Sequence, residues 1–171
     1  MNLISRLLHR QQDPREALRP LWHDVVRTSR EREWYATCGV ADSVEGRFDM
    51  ISVVLALVLL RMEASPALAP QSALLTEWFV ADMDRQLRDT GVGDLMVGKN
   101  ITRLMGALGG RLGALREIMT HSDAALAQVL ARNVTLNPDP PRFALAVRMR
   151  ALHGALLAQD DAALLAGTIR A

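Results

Sequence analysis

A chain of 171 residues, half of them hydrophobic and 23% charged, has the composition of a single globular domain large enough to bury a core. A net charge of +1 excludes a broad basic surface for nucleic acid, and aromatics at 4% exclude a stacking platform for single strands. Cys38 is the sole cysteine, which excludes a disulfide framework and a thiolate metal site and fits a reducing compartment.

Along Met1 to Gln12, Leu3, Ile4, Leu7 and Leu8 face one way and Arg6 and Arg10 the other. This pattern predicts a short basic amphipathic helix, packed on the domain or in peripheral contact with an anionic membrane surface. No secretory signal is visible. Asp13-Pro14-Arg15-Glu16 has the form of a helix start, with a capping Asp, Pro at the first position and Glu three residues after the cap. Pro20 restarts the helix, which runs through Trp22, Val25 and Val26 into the charged run Arg27 to Glu33. Trp34 to Gly39 reads as a connection whose aromatics plug the core. Asp42-Ser43-Val44-Glu45 reads as a second capping box.

Between Asp49 and Arg61 lie eleven residues, Met50 to Leu60, apolar but for one serine. A membrane-spanning helix needs about twenty. The run therefore predicts a buried helix over Arg47 to Met62, apolar almost all round and central to the fold. Ser65 to Pro70 reads as a linker, and Pro70 opens the next helix.

That helix carries Leu75, Phe79, Met83 and Leu87 on one stripe. Asp82 projects into the stripe, where a carboxylate must be paired, and Arg47, Arg103 and Lys99 are its candidate partners. Asp84 points away. Gly91 stops the helix in a left-handed cap, with Val92 placed to contact Leu87. A second helix leaves from Gly98-Lys99, where Lys99 is the only lysine among twenty basic residues. Ile101, Leu104, Met105, Leu108, Leu112, Leu115 and Met119 keep its apolar stripe, and Gly106, Gly109, Gly110 and Gly113 gather on an adjoining arc. Each glycine costs about 1 kcal/mol against alanine, so the arc implies a break near Gly109-Gly110 or the close approach of another backbone. Ser122 starts a further helix. Asn137-Pro138-Asp139-Pro140-Pro141 is a broken loop whose Asp139 should cap Arg142 to Ala158, and a last short helix follows Asp160.

The reading is an all-α fold, a single compact bundle of about seven helices around Arg47 to Met62. Its expected parts are N-terminal helices over 1–33, a core over 34–119 and C-terminal helices over 120–171, all in one domain. Catalytic constellations are missing. His9, His23, His121 and His153 are scattered with no metal-ligand spacing, so no metal and no cofactor is expected. Gly93-Asp94-Leu95-Met96-Val97-Gly98-Lys99-Asn100 fits a phosphate-binding loop except at its last position, where Asn100 replaces the magnesium-ligating hydroxyl. It also follows a helix, whereas that loop should follow a strand.

Three stretches carry a resemblance. Gly39-Val40-Ala41-Asp42-Ser43-Val44-Glu45-Gly46-Arg47-Phe48-Asp49, then Phe79-Val80-Ala81-Asp82-Met83-Asp84-Arg85-Gln86-Leu87-Arg88, then Gly91-Val92-Gly93-Asp94-Leu95-Met96-Val97-Gly98-Lys99 closely resemble the ubiquinol–cytochrome c chaperone family. The resemblance covers about Trp34 to Ile118. It implies a helical, non-enzymatic assembly factor for the cytochrome bc1 complex. By the same resemblance its partners would be newly made cytochrome b, or another hydrophobic membrane protein, and a small helical partner protein or the ribosome. It implies a bacterial, cytoplasmic member, or a protein of the mitochondrial matrix side if eukaryotic. Leu108 and Gly109 stand where the family often has aromatics before a Gly-Arg pair, here Gly110-Arg111.

The residues expected to bind the client are Phe79, Asp82, Met83, Asp84, Arg88, Val92, Asp94, Lys99, Gly106, Gly109, Gly110 and Gly113. The alternative reading is a haem- or small-ligand-binding protein with the central helix lining a pocket. An NTPase is the weakest reading.

Overall fold

The computed structural model describes residues 13–89 and 94–169. The expected Met1–Gln12 helix and the Gly91–Gly93 corner, Val92 included, lie outside the described residues. The fold is all-α and is built on the helix expected at its centre.

A 3-10 turn, Pro14–Leu18, begins at Asp13, whose carboxylate accepts from the Arg15 amide at 3.0 Å. Helix α1 (Arg19–Ser29) follows with Pro20 in its first turn, where the missing amide hydrogen costs nothing. The charged run does not continue α1. The chain turns at Arg30 and forms a second short helix, α2 (Arg32–Ala36), where a connection was expected. The reason is Trp34, which is fully buried and donates its Nε1 hydrogen to Thr28 O at 2.7 Å, folding the segment back on α1.

Helix α3 (Val44–Glu63) is the predicted central helix. Its cap is Ser43, accepting from the Gly46 amide at 3.1 Å, one residue later than the expected box, because Asp42 instead takes Arg47 Nε at 2.6 Å. Gly46 is required there, since a Cβ would lie 2.0 Å from Ala41 O. Every residue from Met50 to Leu59 is buried. A helix buried all round needs neighbours all round, and α3 packs on α1, α4 (Ser72–Asp89), α5 (Asp94–Ile118) and α7 (Ala144–Ala158).

Helix α6 (Asp123–Asn133) begins on Ser122, as expected, and packs on α5 and α7. Between α6 and α7, Asp139 does not cap the next helix. Helix α7 starts at Ala144 behind Phe143, with no side-chain cap. Residues before proline are held out of the helical region, so Pro140, ahead of Pro141, cannot open a helix directly behind Asp139. The same loop forms an isolated antiparallel bridge, Val40 with Leu136, beside Gly39 in the left-handed region at φ 79°.

Helix α8 (Asp161–Leu165) follows Asp160 as expected, and Asp160 caps it by accepting from the Ala163 amide. Arg61 ties this end to α3, donating to Leu156 O at 3.0 Å, Gln159 O at 2.7 Å and Asp161 at 2.7 Å. The Ser65 hydroxyl and then Arg61 hold the Asp161 carboxyl below its ordinary range. Among the described residues no helix is long and apolar enough to cross a membrane.

Candidate functional site

Helices α4 and α5 lie side by side and leave an open groove of about 730 Å³ between them. Helix α4 turns Leu75, Phe79 and Met83 into the core, all buried. The adjoining face then carries Thr76, Val80, Asp84 and Arg88 at four-residue spacing, with Glu77 and Ala81 beside them, and these six line one wall. Gly98, Ile101 and Met105 line the other wall, and Arg15 closes one end. The floor is apolar: Val80, Ala81, Ile101 and Met105. Charges mark the rim, where Asp84 accepts from Arg88 Nε at 3.0 Å and Arg15 stands 3.9 Å from Glu77. Trp78 fixes the closed end by donating its Nε1 hydrogen to Arg15 O at 2.6 Å.

Of the residues expected to bind a client, Asp84 and Arg88 lie in this groove. Phe79 and Met83 do not, because they point into the core and support the wall from behind. Asp82 was expected to take a partner from elsewhere in the chain, Arg47, Arg103 or Lys99, and among the described residues it takes none of them. Its side chain is 14% exposed and pairs within α4, with Arg85 one turn on and with Gln86 Nε2 at 3.4 Å. Lys99 is exposed. It stands in the second turn of α5, since that helix begins four residues before Gly98, at Asp94. Nothing is described of the Asp94 side chain.

The glycine arc behaves in neither of the two expected ways. Helix α5 runs unbroken through Gly109-Gly110. No backbone approaches either: a Cβ added to Gly98, Gly106, Gly109, Gly110 or Gly113 meets no atom within 4 Å. On the helical wheel the arc continues outward from the groove wall formed by Gly98, Ile101 and Met105. It is an open, nearly side-chain-free shoulder of the groove.

Sequence reasoning missed Val80, Ala81, Ile101 and Met105 as groove residues. Ile101 and Met105 belong to the apolar stripe already expected of α5, whereas Val80 and Ala81 stand among Thr76, Glu77, Asp84 and Arg88 on a mostly polar face of α4, where periodicity offers no signal.

A second cluster was also missed. Arg111 on α5 donates to Asp49 on α3 through Nη2 and to Asn133 O through Nε at 3.1 Å. Asp49 also accepts from the Thr135 amide at 2.9 Å and the Thr135 hydroxyl at 2.7 Å. Burial pulls the Arg111 guanidinium below its ordinary pKa, against the opposing pull of Asp49. This clasp joins α3, α5 and the end of α6 behind the groove.

Chemistry of other kinds finds little footing. Residues 94–99 of the near-match to a phosphate-binding loop are helical, so they cannot form the cradle that binding requires. The crevice against α3 beside Val53, Leu115 and Val129 has no room for a water, so it offers no ligand pocket on the central helix. Cys38 is buried, and burial raises its thiol pKa. No group of three His, Cys, Asp or Glu side chains able to hold a metal occurs among the described residues.

Comparison with known proteins agrees with this architecture. No curated protein matches the chain. The chain is similar over 98% of its length to the Cbp3 homolog from Brucella abortus, covering 95% of that crystal structure at 30% identity with a TM-score of 0.78. The family model described as ubiquinol-cytochrome C chaperone matches residues 36–171, which carries the resemblance past Ile118 to the final helices. An all-helical chain with this groove, matched by that model over most of its length, belongs to the ubiquinol-cytochrome c chaperone family.

Proposed function

We propose that this chaperone serves assembly of the cytochrome bc1 complex without catalysing a reaction, by holding an apolar helical segment of newly made cytochrome b in the α4–α5 groove. The observation that carries the reading is the groove, apolar along its floor and charged along its rim. Amphipathic helices are bound by such grooves through apolar anchors at three- and four-residue spacing. From Thr76 to Arg88 the α4 wall is ~18 Å long, about three to four turns of a docked helix. The shoulder from Gly106 to Gly113 would let the client's backbone lie close to α5, as small-residue faces allow between membrane helices. Lys99 and the rim charges would then meet the client's polar flank.

A photocrosslinking residue at Ile101, in cells making cytochrome b, tests the reading. Cytochrome b should be trapped from Ile101 and not from Leu157, which is exposed on α7. Equal trapping from both positions, or none from Ile101, overturns the groove as the docking site.

A further inference from the structure

Most arginines in the described residues are neutralised. Arg15, Arg19, Arg27, Arg61, Arg85, Arg88, Arg111, Arg116, Arg148 and Arg150 all form ion pairs. Arg30 and Arg32 do not: neither guanidinium makes a hydrogen bond or an ion pair with any of the described residues. They nevertheless line one pocket of about 430 Å³, together with Tyr35, Ala36, Asp42 and Arg47.

The charged run sorts itself by face. Glu31, between the two arginines, turns away to Arg148 Nη2 at 2.6 Å, and Glu33 stands 4.0 Å from the same guanidinium. The acids adjacent in sequence are thereby removed from the pocket. Arg47 reaches in from α3. It gives Nε to Asp42 at 2.6 Å, leaves both Nη groups without a hydrogen bond among the described residues, and lies 5.9 Å over the Tyr35 ring. The Tyr35 hydroxyl is committed to Ser29 O at 2.8 Å, so the ring is a fixed wall.

Three cations against one carboxylate leave a surplus of two positive charges in a small concavity. A phosphate monoester carries a charge of about −1.5 to −2 at neutral pH and three strong acceptor oxygens. Guanidinium forks are the side chains best matched to those oxygens. A carboxylate would neutralise half the surplus and leave most donors unused.

We propose that the pocket of Arg30, Arg32 and Arg47 binds a phosphate monoester, supplied by a soluble phosphate compound or by the headgroup of an acidic lipid. The site is separate from the α4–α5 groove, shares no lining residue with it, and does not depend on the client reading.

Titration of the full chain with inorganic phosphate at physiological salt, followed by calorimetry, is the test. Saturable binding is expected. It should weaken about tenfold or more in the Arg30→Gln, Arg32→Gln double variant. It should be unchanged in Arg132→Gln, an exposed arginine on α6 outside the pocket. Both pocket side chains are exposed and unpaired, so the double variant should keep the parent melting temperature, and Arg30→Lys, Arg32→Lys should retain part of the affinity. Flotation with phosphatidylcholine vesicles, with and without phosphatidic acid, separates the two sources. Binding confined to the phosphatidic acid vesicles and lost in the double variant assigns the lipid headgroup. Phosphate binding without vesicle binding assigns a soluble ligand. No saturable phosphate binding, or equal binding by parent and double variant, overturns the proposal.

Discussion

Asp49 answers two needs at once. One oxygen takes Arg111 from α5, and the other takes the amide and hydroxyl of Thr135 after α6. Its side chain is 12% exposed and that of Arg111 is 11% exposed, so removing either leaves the other charged and poorly solvated. Breaking such a pair costs about 3–5 kcal/mol. Asp49→Ala should lose that much in urea denaturation, and more than Arg111→Ala, because it also strands the Thr135 donors. None of this was legible in sequence, where the two residues are 62 positions apart and each looks like an ordinary helix-surface charge.

His153 supplies a second test at this scale. It is half-buried on α7, and burial, followed by the Arg150 charge, lowers its pKa from 6.5. The unfolded chain therefore takes up the proton first. The stability that neutral His153 contributes is complete above pH 6.5 and is lost as pH falls from there through the lower folded value. His153→Gln should flatten the pH dependence of the melting temperature across that window.

Among the elements, α3 was the most legible, because its run of apolar residues admits only a central position. The caps on Ser122 and Asp160 were legible for a local reason: the bond each makes is three residues long. Asp82 was not. A wheel locates the carboxylate beside the buried stripe, but it does not show that Arg85, one turn away, folds back over it.

The glycines of α5 show the same boundary. Their arc could be read from spacing, but what faces it could not, and the answer is open space. Gly109→Ala and Gly113→Ala should therefore each stabilise the free protein by about 0.5–1 kcal/mol in thermal denaturation. If the client backbone lies on this shoulder, the same substitutions should lower cytochrome b yield in cells. More stability with less function would set the two roles of these positions apart. More stability with unchanged yield would confine the client to the apolar floor.

At the scale of the whole molecule, helices from the N-terminal, middle and C-terminal stretches all meet at α3. The groove lies on the flank where α4 and α5 pair. Phe79 and Met83, two of the residues expected to bind the client, face the core there, while Val80 and Ala81 face the groove. Ala81→Trp offers a direct check. Ala81 is exposed, so the substitution should change stability by no more than about 0.5 kcal/mol while filling the groove. Cytochrome b accumulation should fall in cells that carry it. Normal accumulation would place client contact elsewhere on the molecule.

The hydrogen bond from Trp78 to the Arg15 carbonyl has an optical consequence. Trp22 and Trp34 are sealed in the interior, at 2% and 0% exposure, so their emission is shielded from anything arriving at the surface. Trp78 is half-buried, and two guanidiniums lie over its indole, Arg15 at 5.9 Å and Arg19 at 5.3 Å. A helix settling beside Arg15 would disturb that stack. The native protein thus carries an unlabelled fluorescent gauge of groove occupancy, and Trp78→Phe should silence it while the two interior indoles keep shining.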